Sequence, residues 1–169
     1  RTALTAAELR SLLDIIKEGA PHIFPIIQYI ACTGCRISDA LDLRWSQVDG
    51  HVVRRPQQKT GHTATYSLNA TALALLDRLR GEQRPGPQGQ VFVNAQGNPH
   101  TYNAVYRAYT RTLNRAGFVV RRDGQEYAAD IHTLRHTFGS RMADIGAPPF
   151  LVMRQMGHTN LETTLQYYH

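Results

Sequence analysis

The sequence predicts an α+β domain, mainly helical, with a small antiparallel β-sheet. Three observations carry that prediction. Apolar residues recur at helical spacing over much of the chain, as in Leu9, Leu12, Leu13 and Ile16. Between Val52 and Leu68 the pattern changes to two short runs flanking a polar loop, the mark of a hairpin. At 169 residues the chain is long enough for one domain with a real core and too short for two large ones.

The first element starts at Leu4-Thr5-Ala6-Ala7-Glu8-Leu9. Thr5 can cap the amide of Glu8, Glu8 can reach back, and Leu4 can staple to Leu9. Gly19-Ala20-Pro21 ends this helix. A second, apolar helix runs from about His22 to Thr33 and is broken at Gly34, and a third, short one covers roughly Arg36 to Leu43. Val52-Val53 and Ala64 to Leu68 are predicted strands around the loop Gln57-Gln58-Lys59-Thr60-Gly61-His62. Asn69 is placed to cap the next helix, which carries Leu73, Leu76 and Leu79. Arg84-Pro85-Gly86-Pro87-Gln88-Gly89 is the clearest loop. Four more helices are expected, from Tyr102 to Ala116, Thr133 to Ile145, Pro149 to Met156 and Leu161 to Tyr168. Tyr102, Tyr106 and Tyr109, at helical spacing, are expected to be packing residues. There is no internal repeat.

The composition, 42% hydrophobic and 19% charged, is that of an ordinary globular protein. A net charge of +6 favours an anionic partner, nucleic acid or an acidic membrane surface, without deciding between binding and mere basicity. How that charge is built says more. Of the 19 basic residues only Lys17 and Lys59 are lysines. Arginine suits bidentate phosphate contact but does not readily give up a proton, so a rare lysine in a loop stands out. Cys32 and Cys35 form a C-x-x-C, but a zinc site needs two more ligands and no second pair exists. A redox pair would sit at a strand-to-helix turn, whereas these flank the end of an apolar helix. Idle thiols in a reducing, intracellular setting are expected. No secretory signal is visible, and the longest apolar stretch, Ile23 to Ile30, contains Pro25, Gln28 and Tyr29 and is too short to span a membrane.

Chemistry concentrates at the end of the chain. His132-Thr133-Leu134-Arg135-His136 is followed by Gly157-His158 and by Tyr167-Tyr168-His169. His132 and Arg135, three residues apart at a helix start, share a face, and the helix end itself attracts a phosphate. A metal site pairing His132 with His136 would want the H-E-x-x-H pattern, and Thr133 stands where the Glu belongs. Earlier in the chain, the break at Gly34 puts Arg36 at a helix start with Asp39 three residues on. Asp39 can hold that guanidinium, or simply form a surface salt bridge. Tyr167 is a possible oxygen nucleophile. A phenol with a pKa near ~10 is only about one part in a thousand ionised at neutral pH, so it needs cations beside it. Two guanidiniums on the non-bridging oxygens would stabilise a phosphorane-like transition state. Neither clustered carboxylates for Mg²⁺ nor a Gly-rich phosphate loop is evident.

Five stretches, in order, carry a more specific likeness: Thr33-Gly34-Cys35-Arg36-Ile37-Ser38-Asp39, the Lys59 loop, His132-Thr133-Leu134-Arg135-His136-Thr137-Phe138, Leu151 to His158, and Thr163-Thr164-Leu165-Gln166-Tyr167. Together they resemble the catalytic domain of the tyrosine recombinase, or phage integrase, family over nearly the whole chain. Tyr167 lies nine positions after His158, and that spacing combined with His-x-x-Arg is the specific part. The resemblance implies a role for each residue. Arg36 and Arg135 would bind the scissile phosphate, and Lys59 would be the general acid for the 5′-oxygen leaving group. His132 would be the general acid–base, His158 would contact a phosphate oxygen, and Tyr167 would form a 3′-phosphotyrosyl link. Asp39 sits at a supporting acidic position that is more often Glu. Thr133 stands where Asp is common and Gly139 where Ala is usual, neither a chemical group of the reaction.

The resemblance also implies site-specific DNA strand exchange by two transesterifications, with double-stranded DNA as partner and no metal or other cofactor required. It implies assembly of the full-length protein into a tetramer on DNA, no membrane association, and a cytoplasmic, bacterial or phage-encoded protein working on the nucleoid. Arg54, Arg55, Arg107, Arg111, Arg121 and Arg122 are secondary candidates for DNA contact, each equally readable as part of a solvated face. Residues 1–169 are expected to be one catalytic domain, without the family's amino-terminal DNA-clamping domain. The chain ends two residues past Tyr167, and a loosely held end is expected there. Competing readings are a type IB topoisomerase, which religates the same strand, a non-catalytic DNA-binding relative with a broken site, and a metal phosphoesterase.

Overall fold

The second helix, α2 (Phe24–Thr33), forms the centre of the molecule because it has almost no polar face: Ile26, Ile27, Tyr29, Ile30 and Thr33 are all buried. The computed structural model describes residues 2–56 and 63–169. Helix α1 (Ala6–Gly19) buries Leu9, Leu12 and Ile16 of its predicted stripe, with Leu13 half-buried, against α2 and against α5 (Tyr102–Arg115). Helix α4 (Ala70–Gln83) and helix α6 (Ile131–Asp144) pack on α2 as well. Helix α3 (Ile37–Leu41) follows α2 after the break at Gly34, whose φ of 71° is a left-handed conformation that glycine adopts without strain. Helix α7 (Pro149–Met156) packs on α6, and helix α8 (Leu161–Leu165) packs on α7.

A three-stranded antiparallel sheet lies beside these helices, in the order β1 (Val48–Asp49), β2 (Val52–Pro56), β3 (Thr63–Ser67). Arg54 faces Thr65 and Arg55 faces Ala64 in the β2–β3 register. Residues 57–62, with the predicted loop and Lys59, lie outside the described residues. Side-chain links hold this sheet to the helices, among them the Tyr66 and Tyr29 hydroxyls, which meet at 2.5 Å. Asp39 of α3 pairs with Arg55 at 2.6 Å. Gln155 of α7 clamps both backbone groups of Ser67, at 3.1 and 3.0 Å.

Several boundaries differ from the sequence reading. Helix α6 begins two residues earlier than expected, because Asp130 caps it: the carboxylate accepts from the Thr133 amide at 2.8 Å and the Thr133 hydroxyl at 2.9 Å. Helix α8 stops at Leu165, short of Tyr168. A second hairpin, β4 (Val120–Arg122) with β5 (Gln125–Tyr127), was not expected at all. Its signal was present: Asp123-Gly124 supplies the two positive φ angles, 51° and 79°, of a tight hairpin turn.

The start of the chain is fastened by charge and capping. Thr5 and Glu8 form the predicted capping box, with bonds of 3.1 and 2.8 Å. Leu4 is buried and its amide donates to Thr137 of α6 at 3.0 Å. Both Glu8 oxygens receive the Arg122 guanidinium at 2.7 Å, which also donates to the Ala3 carbonyl at 3.1 Å. Arg122, a candidate for DNA contact by sequence, is therefore engaged in holding α1 to β4.

That pairing has a pH signature. The hydrogen bonds from Arg122 lower the Glu8 pKa from 4.5 to about 2, against the opposing effect of burial. A depressed folded-state pKa contributes stability that is fully present above pH 4.5 and lost as pH falls through about 2. Glu8→Gln should therefore lower the urea midpoint at neutral pH and flatten its decline across that acid window. Parallel acid profiles for the wild type and the variant would show that the pair contributes nothing.

Candidate active site

Gly34 and Gly157, both left-handed, end the two helices that lead into the site. Gly34 releases the chain from α2 so that Arg36, in extended conformation, caps α3 with its side chain free of the helix face. Gly157, with φ of 68°, ends α7, and the next amide, of His158, bonds back to the Met153 carbonyl at 3.0 Å. Arg36 then reaches across, donating from Nη1 to the Gly157 carbonyl at 3.4 Å. Asp39 does not hold Arg36. It belongs to Arg55 instead, and the Arg36 guanidinium is directed to the Gly157 carbonyl.

Arg135 is the buried charge among the described residues. It is 3% exposed, and its Nη1 donates to the Gly34 carbonyl at 2.5 Å. Among the described residues no carboxylate lies within ion-pair range of it. Burial, and then the like charge of Arg36, lower its pKa to about 10, so it is still a cation at neutral pH. Arg36, His132, Arg135 and Asp130 line one cleft of about 390 Å³. Two guanidiniums, one of them desolvated, make this cleft an anion site.

On the other side of Arg135 lies the end of the chain. The sequence suggests a loosely held end, but Tyr167 is 7% exposed and packs with Phe138, Val152 and Met156. The rings of His136 and His158 flank it, with centroids at 5.2 and 6.4 Å, the latter nearly parallel at 16°. Tyr168 points elsewhere and donates to the Ala147 carbonyl. The His158 ring accepts or donates at Nδ1 to the Thr164 hydroxyl, 2.7 Å away. Burial first, then the charges of Arg135, Arg36 and His132, lower its pKa to about 4, so the imidazole is neutral at neutral pH.

The structure thus brings together Arg36, His132, Arg135, His158 and Tyr167, while Lys59 lies outside the described residues. The secondary arginines divide. Arg54 pairs with Asp49 at 2.9 Å, Arg55 with Asp39, and Arg121 with Glu126 at 2.8 Å. Arg107 and Arg111 lie on an exposed face of α5 with Arg115, on a helix that has no acidic residue. The sequence reading missed Tyr102 and Tyr106. Only Tyr109 packs as expected; the other two are 50% and 43% exposed, stack at 6.0 Å and line the cleft. The apolar stripe of α5 falls on Val105, Tyr109 and Leu113, which turns the other two tyrosines outward. Thr164 was also missed, since a threonine near a helix start has no distinctive signal. Cys32 and Cys35 are free thiols whose pKa values burial raises to about 12, as expected of idle ones. Among the described residues no helix is long and apolar enough to cross a membrane.

Gly139 explains how a tyrosine ring can sit so deep. A Cβ at that position would lie 2.6 Å from Tyr167 Cε2 and Cζ, closer than such atoms approach. Gly139→Ala gains up to ~1 kcal/mol of helix propensity and loses about 1–3 kcal/mol by overpacking, so overpacking wins. In urea denaturation the variant should be less stable than the wild type. In a Tyr167→Ala background the sign should reverse, because the ring is gone. A gain of equal size in both backgrounds would remove the steric link.

The sequence pattern described as the phage integrase family matches residues 2–169. The chain is 26% identical over 184 residues to the tyrosine recombinase XerD of Bifidobacterium longum (strain NCC 2705), covering 98% of this chain and 57% of that protein. It therefore spans little more than half the length of such a curated relative. Among solved structures, the Tn1549 transposon integrase in complex with transposon right end DNA superposes with a TM-score of 0.81 at 21% identity, over all of this chain (100%) and 61% of the other. The XerH site-specific recombinase bound to difH substrate, in a pre-cleavage complex, gives 0.74 at 24% identity, over 100% and 51%. Both likenesses are of fold. With the family's pattern running from residue 2 to the end and its fold reproduced around Arg36, Arg135 and Tyr167, the chain belongs to the phage integrase family.

Proposed function

We propose that this chain carries the catalytic centre of a site-specific DNA recombinase that cuts and rejoins duplex DNA through a 3′-phosphotyrosyl intermediate. The observation that carries the proposal is the buried Arg135 cation, without a carboxylate partner among the described residues, between Arg36 and the Tyr167 ring. A buried charge of this kind needs an anion, and a DNA phosphodiester fits the cleft it shares with Arg36 and His132. The two similar solved structures described above are of DNA-bound proteins, which agrees with that choice of anion.

The chemistry follows from those groups. Tyr167 Oη attacks the phosphorus in line, and its proton passes to His132. Arg36, Arg135 and neutral His158 take the developing charge on the non-bridging oxygens. The bond to the 5′-oxygen breaks, and that oxygen takes a proton from Lys59. The 5′-hydroxyl of a second strand then gives its proton to Lys59 and attacks the phosphotyrosyl phosphorus, and Tyr167 leaves, taking its proton back from His132. Cationic side chains do the charge stabilisation that Mg²⁺ does elsewhere, so no metal is needed. Arg107 and Arg111 extend the positive surface along α5 and fit the flanking duplex. In the full-length protein, four copies would assemble on DNA, in the cytoplasm and on the nucleoid. A type IB topoisomerase would share the first step, but would relax supercoils without exchanging strands.

The test is a pool of nicked duplexes with randomised arms, incubated with the chain and resolved for a covalent adduct. An adduct is expected to form in EDTA, to disappear in Tyr167→Phe and to persist in Tyr168→Phe. His132→Ala should slow its formation by about 10²- to 10⁴-fold. Absence of any wild-type adduct, or an adduct lost only in Tyr168→Phe, would overturn the assignment. Duplex binding should weaken steeply with salt, and Arg107→Ala and Arg111→Ala should each reduce the log–log slope by about 1. An unchanged slope would place the duplex on another face.

A further inference from the structure

The side chain of Thr164 is fully buried, at 0% exposure, yet it belongs to the exposed, five-residue helix α8. Its hydroxyl has one hydrogen-bond partner among the described residues, Nδ1 of His158 at 2.7 Å. The same residue also touches the proposed nucleophile through the backbone, since the Tyr167 amide donates to the Thr164 carbonyl at 3.1 Å. A single threonine therefore joins the imidazole to the segment that presents the tyrosine, and those two rings lie nearly parallel.

The direction of the Thr164–His158 bond decides what the imidazole can offer. A neutral ring has one N–H donor and one acceptor, and the partner of one nitrogen sets the role of the other. If Nδ1 carried the proton, it would donate to Oγ1, and the buried threonine hydrogen would have no acceptor among the described residues. That arrangement costs the desolvation of an unsatisfied donor. If the threonine donates to Nδ1, both groups are satisfied and the ring proton lies on Nε2. Burial first, and then the positive charges of Arg135 and Arg36, oppose a second ring proton, so this tautomer is what lets the ring donate from Nε2.

We propose that Thr164 is a positioning residue that fixes His158 as the Nε2–H tautomer, so that the neutral imidazole donates to a non-bridging phosphate oxygen. This rests on the strand-transfer reading above. It adds a constraint on α8: moving the helix that presents Tyr167 also releases the hydrogen bond that orients His158. Phosphate contact and nucleophile placement are then coupled through one side chain.

The test compares wild type, Thr164→Val and Thr164→Ser. The valine variant keeps the shape and loses the hydroxyl, and the serine variant restores it. Nitrogen-15 NMR of the His158 ring in the DNA-free chain should report the Nε2–H tautomer in wild type and Thr164→Ser, and a mixture in Thr164→Val. Adduct formation with the randomised nicked duplexes should slow by about tenfold in Thr164→Val, as expected for the loss of one hydrogen bond to a reacting group. Duplex binding should be unchanged and the serine variant should recover the rate. A wild-type ring protonated on Nδ1, or a valine variant with wild-type tautomer and rate, would overturn the proposal. If the wild type forms no adduct while its tautomer and that of the variants are as expected, the strand-transfer reading fails and the tautomer assignment stands.

Discussion

The hydrogen bond from the buried Arg135 guanidinium to the Gly34 carbonyl is the contact around which the site is arranged. It joins α6 to the end of α2, the two helices that meet through the centre of the molecule. It works only because α2 ends in a left-handed glycine, which exposes that carbonyl and lets the Phe138 ring lie directly over the Cα. A side chain at residue 34 would meet both the backbone strain and the ring. The turn that frees the carbonyl also sends Arg36 back toward Arg135, so two like charges are brought together by backbone geometry rather than by any attraction between them. Burial of one of them raises the cost of that repulsion, and an anion in the cleft relieves it.

The rest of the site is organised against that cost. His158 stays neutral because burial first, and then the neighbouring arginines, oppose a charge on its ring, which a hydroxyl rather than a carboxylate holds. A carboxylate there would offset the charge of the two guanidiniums. Tyr167 is withdrawn into its own small apolar cluster with Phe138, Val152 and Met156, apart from the main core. Gly139 makes the space for the ring, and flanking imidazoles replace water around it. The sheet is held at the edge of this arrangement by Asp39–Arg55 and by the Gln155 clamp, one link to α3 and the other to α7. The hairpin that carries Lys59 in sequence is thereby tied to the two elements that bear Arg36 and lead to His158.

Positive charge alone was a poor guide to the surface. Arg54, Arg55, Arg121 and Arg122 are each matched by an acidic partner, and Arg122 holds the start of α1. Arg107 and Arg111 stand on a helix with no carboxylate, next to the exposed Tyr102–Tyr106 pair. Identical residue types therefore have opposite uses, decided by which carboxylates the fold brings within reach.

The sequence by itself determined what depends on local order. Helical periodicity, the Thr5–Glu8 capping box, the breaks at Gly34 and Gly157 and the identity of the charged and nucleophilic groups are all properties of near neighbours along the chain. The Asp123-Gly124 turn is equally local, since its two positive φ angles suit those residue types. The tertiary structure decided what depends on separations of a hundred residues or more: the burial of Arg135 against Gly34, the choice of Arg55 rather than Arg36 as partner of Asp39, the deep seat of Tyr167 against Gly139, and which arginines remain unmatched. Spacing along a helix fixes which side chains share a face. Whether that face meets water, a carbonyl or a carboxylate is fixed only when the other elements arrive, and desolvation and the new neighbours then set the charge state of each group.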